Sequence, residues 1–206
     1  MKKIFTIGYS GFEIEDFIRV LKSFSVNCVI DVRSIPFSKM FSAYNREELE
    51  IKLNENDILY RNYSYEFGAR QSEEKFFSNN IFDFEKFMKS EQFLTGIEKV
   101  SKGIKKGYNF VLMCAEKDPI NCHRSIMVAK GFYDNQYEVI HIINKDYYET
   151  QQELELRLLE MYHPNRFQLN LFGDDLCEDE LIIDSYRKRN VDIGYNKNKD
   201  KEGDYK

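Results

Sequence analysis

The chain lacks tryptophan, and it has only three prolines, three histidines and four cysteines among its 206 residues. Four cysteines without a secretory signal do not form a disulfide scaffold, so we expect all of them to be reduced. No segment approaches the roughly 18 consecutive apolar residues of a membrane span. The first residues lead directly into a predicted strand rather than into the core of a signal peptide. We therefore expect a cytoplasmic protein that has no membrane partner.

An excess of positive charge is also lacking, because the formal net charge is −5. Proteins that bind nucleic acid through its phosphates need clustered Lys and Arg residues. Here both signs of charge are spread along the sequence. The charge therefore neither indicates nor excludes a phosphate-bearing partner.

The sequence does contain a regular alternation of short apolar runs and helical periodicities. The predicted strands cover residues 3–8, 27–32, 58–61, 108–113 and 138–143. The predicted helices cover residues 12–24, 46–54, 81–104 (one or two helices), 125–133 and 148–162. Ser10 and Glu13 are expected to form a capping box for the first helix. This alternation predicts an α/β fold with an open, mostly parallel sheet of about five strands and helices on both faces.

Composition divides the chain into one domain and a tail. Residues 1–163 are predicted to form a single α/β domain, whose last helix, the C-terminal one, is stopped by Pro164. Residues 164–186 are predicted to be an extended tail, and residues 187–206 are polar, rich in Lys, Asn and Asp, and predicted to be disordered. No internal repeat is present.

The segment from Cys114 to Ser125 concentrates most of the reactive chemistry of the chain. It contains two thiols, a carboxylate, an imidazole and a guanidinium, from Cys114, Cys122, Glu116, His123 and Arg124. We call this segment the cysteine loop. It lies between a predicted strand and a predicted helix, where backbone N–H groups favour anions and thiolates and where open α/β sheets bind ligands.

Several segments together resemble a known family. They are Thr6–Ser10, residues 29–36, Phe67-Gly68-Ala69-Arg70, and the Cys114-Ala115-Glu116 and Cys122-His123-Arg124-Ser125 parts of the cysteine loop. The pattern is similar to the domain of unknown function 488 family over about residues 4–143. The resemblance implies an α/β domain and no settled activity. Tyr9 stands where relatives often carry histidine.

Two interpretations of the cysteine loop give its thiols a direct role. In the first, Cys122 or Cys114 is a nucleophile, because His123 and Arg124 would both lower a thiol pKa. This would give a rhodanese-like or phosphatase-like transferase, although the spacing between cysteine and arginine fits neither family. In the second, Cys114, Cys122 and His123 bind zinc, with His141 or Cys28 as a fourth ligand. The preferred interpretation predicts no cofactor and no metal.

Two further interpretations treat the loop as a site for a phosphate and a base. Arg124, Ser125 and the helix N-terminus would hold the phosphate. Glu116 or Asp31 would serve as general acid or base. The other expected phosphate or substrate contacts come from neighbouring loops: Gly8, Ser10, Arg33, Arg70, Tyr44 and Asn45. In the purely structural alternative, Cys114 is a core residue, Glu116 pairs with Arg124, and His123 packs or caps.

A short motif in the predicted tail indicates a partner. Gln168, Leu169, Leu171 and Phe172 form a Gln-Leu-x-Leu-Phe pentapeptide. This pattern resembles the peptide by which bacterial replication and repair proteins bind the DNA sliding clamp. An extended peptide of this kind hydrogen-bonds its glutamine and buries its apolar side chains in a pocket. Alternatively, the apolar side chains pack back on the domain.

The preferred hypothesis combines the motif with the loop. It predicts a DNA-acting enzyme, in repair or base processing, that is tethered to the sliding clamp and binds nucleic acid or a nucleotide in a phosphate-binding crevice. The first alternative is a small-molecule cysteine transferase. The second is a non-catalytic module that binds nucleic acid or a partner. The sequence leaves the oligomeric state open.

Overall fold

The apolar runs build a central sheet of five parallel strands, and a sixth strand joins it at one edge. The computed structural model describes residues 2–166 and 177–198. The strands of this sheet are β1 (Lys3–Gly8), β2 (Cys28–Asp31), β3 (Leu59–Asn62), β6 (Phe110–Cys114), β7 (Glu138–Ile142) and β8 (Tyr148–Thr150). A separate two-stranded hairpin pairs β4 (Phe77–Ser78) with β5 (Ile81–Phe82). The order of the central sheet is β3-β2-β6-β1-β7-β8, and β8 runs antiparallel to β7. The predicted α/β class and mostly parallel sheet are confirmed.

Helices cover both faces of the sheet. They are α1 (Ile14–Ser23), α2 (Arg46–Asn54), α3 (Ser64–Phe67), α4 (Phe84–Met88), α5 (Glu91–Lys105), α6 (Lys130–Asp134), α7 (Gln151–Tyr162) and α8 (Glu178–Ile193). Alternate residues of β6 point to opposite faces, so Leu112 and Cys114 join one apolar core while Val111 and Met113 join the other. Parallel strands buried on both faces need apolar side chains at every position.

Two helix starts differ from the sequence prediction. Helix α1 begins at Ile14 after Glu13, which makes no side-chain capping bond, so the Ser10 capping box was wrong. The left-handed backbone of Gly11, with φ of 97°, separates Ser10 from the helix. Residues 148–150 form strand β8, and α7 starts only after Thr150, whose hydroxyl accepts a hydrogen bond from the Glu153 N–H. The sheet therefore gains a sixth strand where a longer helix was predicted.

The helix after the cysteine loop is distorted. Residues Arg124–Ala129 form a π-helix, which continues directly into α6. All six of the π-helical residues are buried. π-helical turns are rare and occur frequently at functional sites.

The C-terminal prediction was wrong for residues 178–193, which form helix α8 instead of an extended tail followed by disorder. The helix packs against α7, and Tyr186 is buried. The Tyr186 hydroxyl hydrogen-bonds to Glu155 Oε1 at 3.0 Å and to Gln151 Nε2. Few apolar residues of this segment face inward, so its composition looks like that of a disordered tail while these contacts hold the helix on the domain.

No helix within residues 2–166 and 177–198 combines the length and apolarity that crossing a bilayer requires.

Candidate active site at the end of strand β6

A cleft of about 480 Å³ opens at the carboxyl ends of β1, β2 and β6. Its lining includes Cys114 and His123 from the cysteine loop together with Arg33 and Arg70 from two other loops. Strands β2, β6 and β1 are adjacent in the sheet, so the loops that follow them meet at one edge. The sequence prediction that these four residues share one crevice is consistent with this geometry.

A second cavity, of about 850 Å³, lies beside α4, α5, α6 and α8. Its walls are mainly apolar, from residues such as Phe82, Phe84 and Ile126. The charged residue Glu85 on its rim pairs with Arg187 and Lys89. No cysteine or histidine occurs among the residues that line it. We therefore place the candidate active site in the smaller cleft.

Two thiols and an imidazole meet at the floor of this cleft. The sulfurs of Cys114 and Cys122 and one ring nitrogen of His123 all lie within 4.8 Å of one another. Both thiol residues are buried, at 4% exposure for Cys114 and 1% for Cys122, but only Cys114 is among the residues that line the cleft. The three side chains could hold a soft cation such as Zn²⁺. The 3.9 Å between Cys114 Sγ and His123 Nδ1 is close to the roughly 3.5 Å between sulfur and nitrogen donors of a tetrahedral zinc site. The three side chains form a compact thiol–imidazole cluster.

The orientation of His123 is fixed by the end of β2. Its Nε2 lies 3.0 Å from the carbonyl oxygen of Val32. A carbonyl can only accept a hydrogen bond, so Nε2 carries a proton. The other nitrogen, Nδ1, therefore faces the thiols and can accept or return a proton. The Cys122 sulfur and the Val32 carbonyl raise the pKa of His123, although burial opposes its charged form.

The two thiols ionise as a pair. Burial opposes ionisation of Cys122, but hydrogen bonding from Cys114 and the positive charges of Arg124 and His123 hold the pKa of Cys122 well below its usual range. Hydrogen bonding to Cys122 and burial raise the pKa of Cys114 well above its usual range. The first proton therefore leaves the pair easily and the second leaves with difficulty. The thiolate is thus favoured on Cys122, next to the Cys114 thiol that lines the cleft.

Glu116 is the carboxylate of the site. Its Oε2 lies 2.9 Å from Cys122 Sγ, although the residue as a whole is solvent-exposed. Partial desolvation of the carboxyl group and the nearby Cys122 raise the pKa of Glu116. Glu116 and Cys122 can therefore exchange a proton, which is consistent with the predicted acid or base role.

Two predicted phosphate contacts were wrong, because Arg124 and Ser125 are fully buried. The Arg124 guanidinium donates hydrogen bonds to the carbonyl oxygens of Glu116 and Lys117 and so supports the cysteine loop from below. Its Nε has no hydrogen-bond partner within the described part of the chain. The Ser125 hydroxyl lies 3.5 Å from His141 Nδ1. The alternative pairing of Glu116 with Arg124 involves the Glu116 backbone, not its carboxylate.

His141 is not available as a metal ligand, because both of its nitrogens are engaged. Nε2 lies 3.0 Å from Gln151 Oε1, and Nδ1 lies 2.8 Å from the Thr6 hydroxyl. Burial and the positive charge of Arg124 lower the pKa of His141 to about 3, so the ring is neutral. Cys28 is also buried and has its pKa raised to about 11 by burial. Neither residue supplies the fourth zinc ligand that the sequence offered.

Asp31 was expected to act as an acid or base, and the structure contradicts this. Asp31 is fully buried and forms a two-oxygen ion pair with Arg33, at 2.9 Å from Nε to Oδ1 and 2.6 Å from Nη2 to Oδ2. The Tyr60 hydroxyl donates a third hydrogen bond, at 2.7 Å. The carboxylate is absent from the lining of the cleft. Asp31 therefore holds Arg33 at the cleft wall and does not meet a substrate.

Tyr44 and Asn45 were predicted to contact a base, and both are structural instead. Tyr44 is 2% exposed, stacks on Tyr9 with ring centroids 4.3 Å apart, and donates to the Phe12 carbonyl. The Asn45 side chain accepts a hydrogen bond from the Ser38 N–H at 2.7 Å. Neither residue lines the cleft. Tyr9 does line it, and its hydroxyl lies 3.4 Å from Arg33 Nη1.

Gly8 and Ser10 were expected to donate backbone hydrogen bonds to a phosphate, and they fix the cysteine loop instead. A Cβ atom on Gly8 would lie 1.8 Å from the Glu116 carbonyl oxygen, so only glycine allows the two segments to approach this closely. The Ser10 N–H donates to the Ala115 carbonyl at 3.0 Å. The Ser10 N–H therefore donates to the cysteine loop and not to a phosphate.

Comparison with models of protein families identifies the family of this chain. Residues 13–130 match the family described as Domain of unknown function DUF488. The chain belongs to this family. The comparisons with curated proteins and with solved structures gave no match. The segment that matches DUF488 contains the cysteine loop, Asp31, Arg33 and Arg70.

Part of the cleft wall comes from outside the DUF488 segment, and the sequence did not predict it. Arg189 of α8 donates to the Ile120 carbonyl at 2.9 Å and also bonds the Asn121 side chain, directly before Cys122. Tyr195 lines the cleft, and the centre of its ring lies 5.3 Å from the guanidinium carbon of Arg70. Helix α8 therefore helps to position the cysteine loop. Nothing in the residue order of this polar segment indicates these contacts.

The pentapeptide of residues 168–172, which was predicted to bind the sliding clamp, lies outside the described residues. The described chain ends before it at Arg166 and resumes after it at Cys177.

Proposed function

We propose that this DUF488 protein is a thiol-dependent enzyme in which Cys114 attacks a substrate that carries an anionic group. The observation that carries the proposal is the position of Cys114 Sγ on the cleft floor, beside the thiolate-favouring Cys122 and the correctly oriented His123. A nucleophile next to a base that a third group orients is the arrangement expected of covalent catalysis. Carboxylate chemistry is less well supported, because Asp31 is engaged by Arg33 and Tyr60.

The proton movements follow from the geometry. The Cys114 proton passes to the Cys122 sulfur as Cys114 Sγ forms a bond to the electrophilic atom of the substrate. The bond from that atom to its leaving group breaks, and the leaving group takes the proton from His123 Nδ1. Arg33, Arg70 and protonated His123 line the cleft together with one carboxylate, that of Glu116, and Asp31 pairs with Arg33 behind the wall. Positive groups therefore outnumber negative ones along the lining, which favours an anionic substrate. Hydrolysis or transfer to a second acceptor then regenerates Cys114.

Alkylation tests this proposal. Iodoacetamide at neutral pH should label Cys114 at least about tenfold faster than Cys28, because the Cys122 thiolate can take the Cys114 proton during the attack, whereas burial raises the pKa of Cys28 to about 11. Peptide mass spectrometry locates the label. Cys28→Ser should leave the rate unchanged, whereas Cys122→Ser should slow it. Two inert loop thiols, or a stoichiometric zinc ion that must be chelated before labelling occurs, would contradict the proposal.

A second candidate function concerns where the enzyme acts. We propose DNA as the substrate and repair or base processing as the process, with the protein tethered to the sliding clamp through Gln168, Leu169, Leu171 and Phe172. The sequence of the pentapeptide supports this proposal. A tether raises the local concentration at DNA, so a chain with a net charge of −5 would not need a basic surface.

Clamp binding can be tested directly. An immobilised bacterial sliding clamp should retain the full chain, and Phe172→Ala should abolish retention because the main apolar anchor is lost. Asn170→Ala is the matched control, since the third position of the motif is variable and retention should persist. Retention of the Phe172→Ala variant, or no retention of the unmodified chain, would end the tether proposal.

A further inference from the structure

The candidate site contains one thiol more than a nucleophilic enzyme needs. Cys114 lines the cleft, and Cys122 does not. The two sulfurs nevertheless lie within 4.8 Å of each other. They would have to approach by at most about 3 Å to reach the S–S bond length of about 2 Å. Cys122 can therefore react with a group attached to Cys114, whereas an external substrate reaches Cys114 first. Cys114 is thus the attacking thiol, and Cys122 is the resolving thiol.

The chemistry of a resolving thiol limits the substrate class. If Cys114 carried an acyl or phosphoryl group, attack by Cys122 would only move that group to a more buried sulfur. If Cys114 carried a sulfur substituent, attack on Cys114 Sγ would release the substituent and form a disulfide. Taking the Cys114 proton would assist any of these reactions, but only in sulfur and electron transfer does attack by the second thiol also release the substituent and complete a reaction.

We propose that the site is a dithiol–disulfide couple and that its substrate is an anionic low-molecular-weight disulfide. This inference rests on the thiol-dependent function proposed above and specifies its substrate. Three positive side chains, Arg33, Arg70 and His123, line the cleft against the single carboxylate of Glu116, so the lining as a whole favours a molecule with carboxylate groups. The proximity of Cys114 and Cys122 makes the second step intramolecular, which accelerates it strongly.

The two steps balance as follows. In the first, the Cys114 proton passes to the Cys122 sulfur, Cys114 Sγ bonds to one sulfur of the substrate, the substrate S–S bond breaks, and the leaving thiolate takes the His123 Nδ1 proton. In the second, the Cys122 proton passes to His123 Nδ1 and Cys122 Sγ bonds to Cys114 Sγ. The mixed disulfide breaks, and the second thiolate leaves with that proton. The substrate gains two electrons and two protons, the protein becomes a disulfide, and an external dithiol reductant restores it.

Glu116 has a role in the second step. Its carboxylate oxygen lies 2.9 Å from Cys122 Sγ, so it can accept the Cys122 proton in place of His123. Glu116 also lines the cleft, but this role depends on its contact with a reacting sulfur. Glu116→Gln should therefore slow disulfide formation more than it slows the first attack.

Glutathione disulfide is a suitable probe, because it is small and carries carboxylates. After exposure of the full chain and quenching with acid, mass spectrometry should find Cys114 and Cys122 joined by a disulfide, with no retained glutathione. Cys122→Ser should instead retain one glutathione on Cys114. Cys114→Ser should form neither product, and Cys28→Ser should behave like the unmodified chain. A neutral disulfide, hydroxyethyl disulfide, should react about tenfold more slowly because it lacks the charge that the cleft attracts.

The outcomes separate this inference from the function on which it rests. Rapid labelling of Cys114 by iodoacetamide without any Cys114–Cys122 disulfide would overturn the dithiol couple and leave the nucleophile intact. An adduct on Cys122 in the Cys114→Ser variant would also overturn it, because the resolving thiol would then be directly accessible. If Cys114 resists both reagents, the thiol-dependent function and the couple fail together.

Discussion

Asp31→Asn should lower the free energy of unfolding by about 3–5 kcal/mol, which is the usual cost of removing one partner from a buried ion pair. Both members of the pair are buried, since the side chains of Arg33 and Asp31 are 6% and 0% exposed. Asparagine keeps the size of the side chain and removes its charge. The Arg33 guanidinium would then remain inside the protein next to a neutral amide, and the Tyr60 hydroxyl would lose a charged acceptor.

Urea denaturation measures this effect, with the slope of the transition expected to stay constant. An exposed pair provides the control. Lys52 and Glu55 are about half exposed and lie 3.1 Å apart, so Glu55→Gln should change stability by less than about 1 kcal/mol. A similarly small change for Asp31→Asn would show that the carboxylate does not hold Arg33, and the acid or base role would have to be reconsidered.

The fold was predictable because its signals are local. Each parallel strand is a short apolar run, and β1, β2, β3, β6 and β7 lie within about two residues of the predicted segments. Burial on both faces forces such runs, whatever the rest of the sequence does. The antiparallel strand β8 was missed because its residues, Tyr148–Thr150, run directly into α7 with no glycine or proline between the two elements. These residues form a strand because they pair with β7 at the edge of the sheet.

The gathering of reactive groups in the cysteine loop was also predictable, since the loop follows the strand that ends in Cys114. Which of these groups would face the cleft was not. His123 and Arg124 are neighbours in sequence, yet His123 lines the cleft and Arg124 lies beneath the loop. The π-helical turn sets these directions, and no pattern of residue types specifies such a turn.

Long-range contacts limited the prediction in other parts of the site. Asp31 was predicted to be a catalytic carboxylate, but Tyr60 reaches it from the neighbouring strand β3 and completes the ion pair that it forms with nearby Arg33. Similarly, Arg189 reaches the cysteine loop from a helix that lies about 70 residues later in the chain. Pairing of this kind depends on the three-dimensional fold, so a sequence read element by element cannot supply it.

The central claim is that the thiol pair of the cysteine loop holds a thiolate at neutral pH. An ordinary thiol ionises at a pKa of about 8.5, whereas thiols near positive charge and hydrogen-bond donors ionise at about 3.5–7.5. Here the pKa of Cys122 is lowered because Cys114 donates to its sulfur and Arg124 and His123 lie nearby, despite the opposing effect of burial. The charged form is favoured, so thiolate should persist as the pH falls through neutrality.

Two serine variants should respond differently. In Cys114→Ser the hydroxyl can still donate a hydrogen bond to the Cys122 sulfur, and both positive charges remain, so the low pKa should persist. In Cys122→Ser the sulfur that these groups stabilise is gone, and ionisation of the loop should return to the ordinary thiol range or above it. Cys28→Ser is the control, since the pKa of Cys28 is raised to about 11 and contributes nothing near neutrality.

The decisive measurement is an ultraviolet titration of thiolate absorbance in the full chain and in these variants. We expect one thiolate that ionises below the ordinary thiol pKa of about 8.5 in the unmodified chain and in Cys114→Ser, and that is missing from this range in Cys122→Ser. The opposite result, with no thiolate formed below about pH 8.5 or with the low-pH step retained in Cys122→Ser, would show that the pair is not the reactive centre of this cleft.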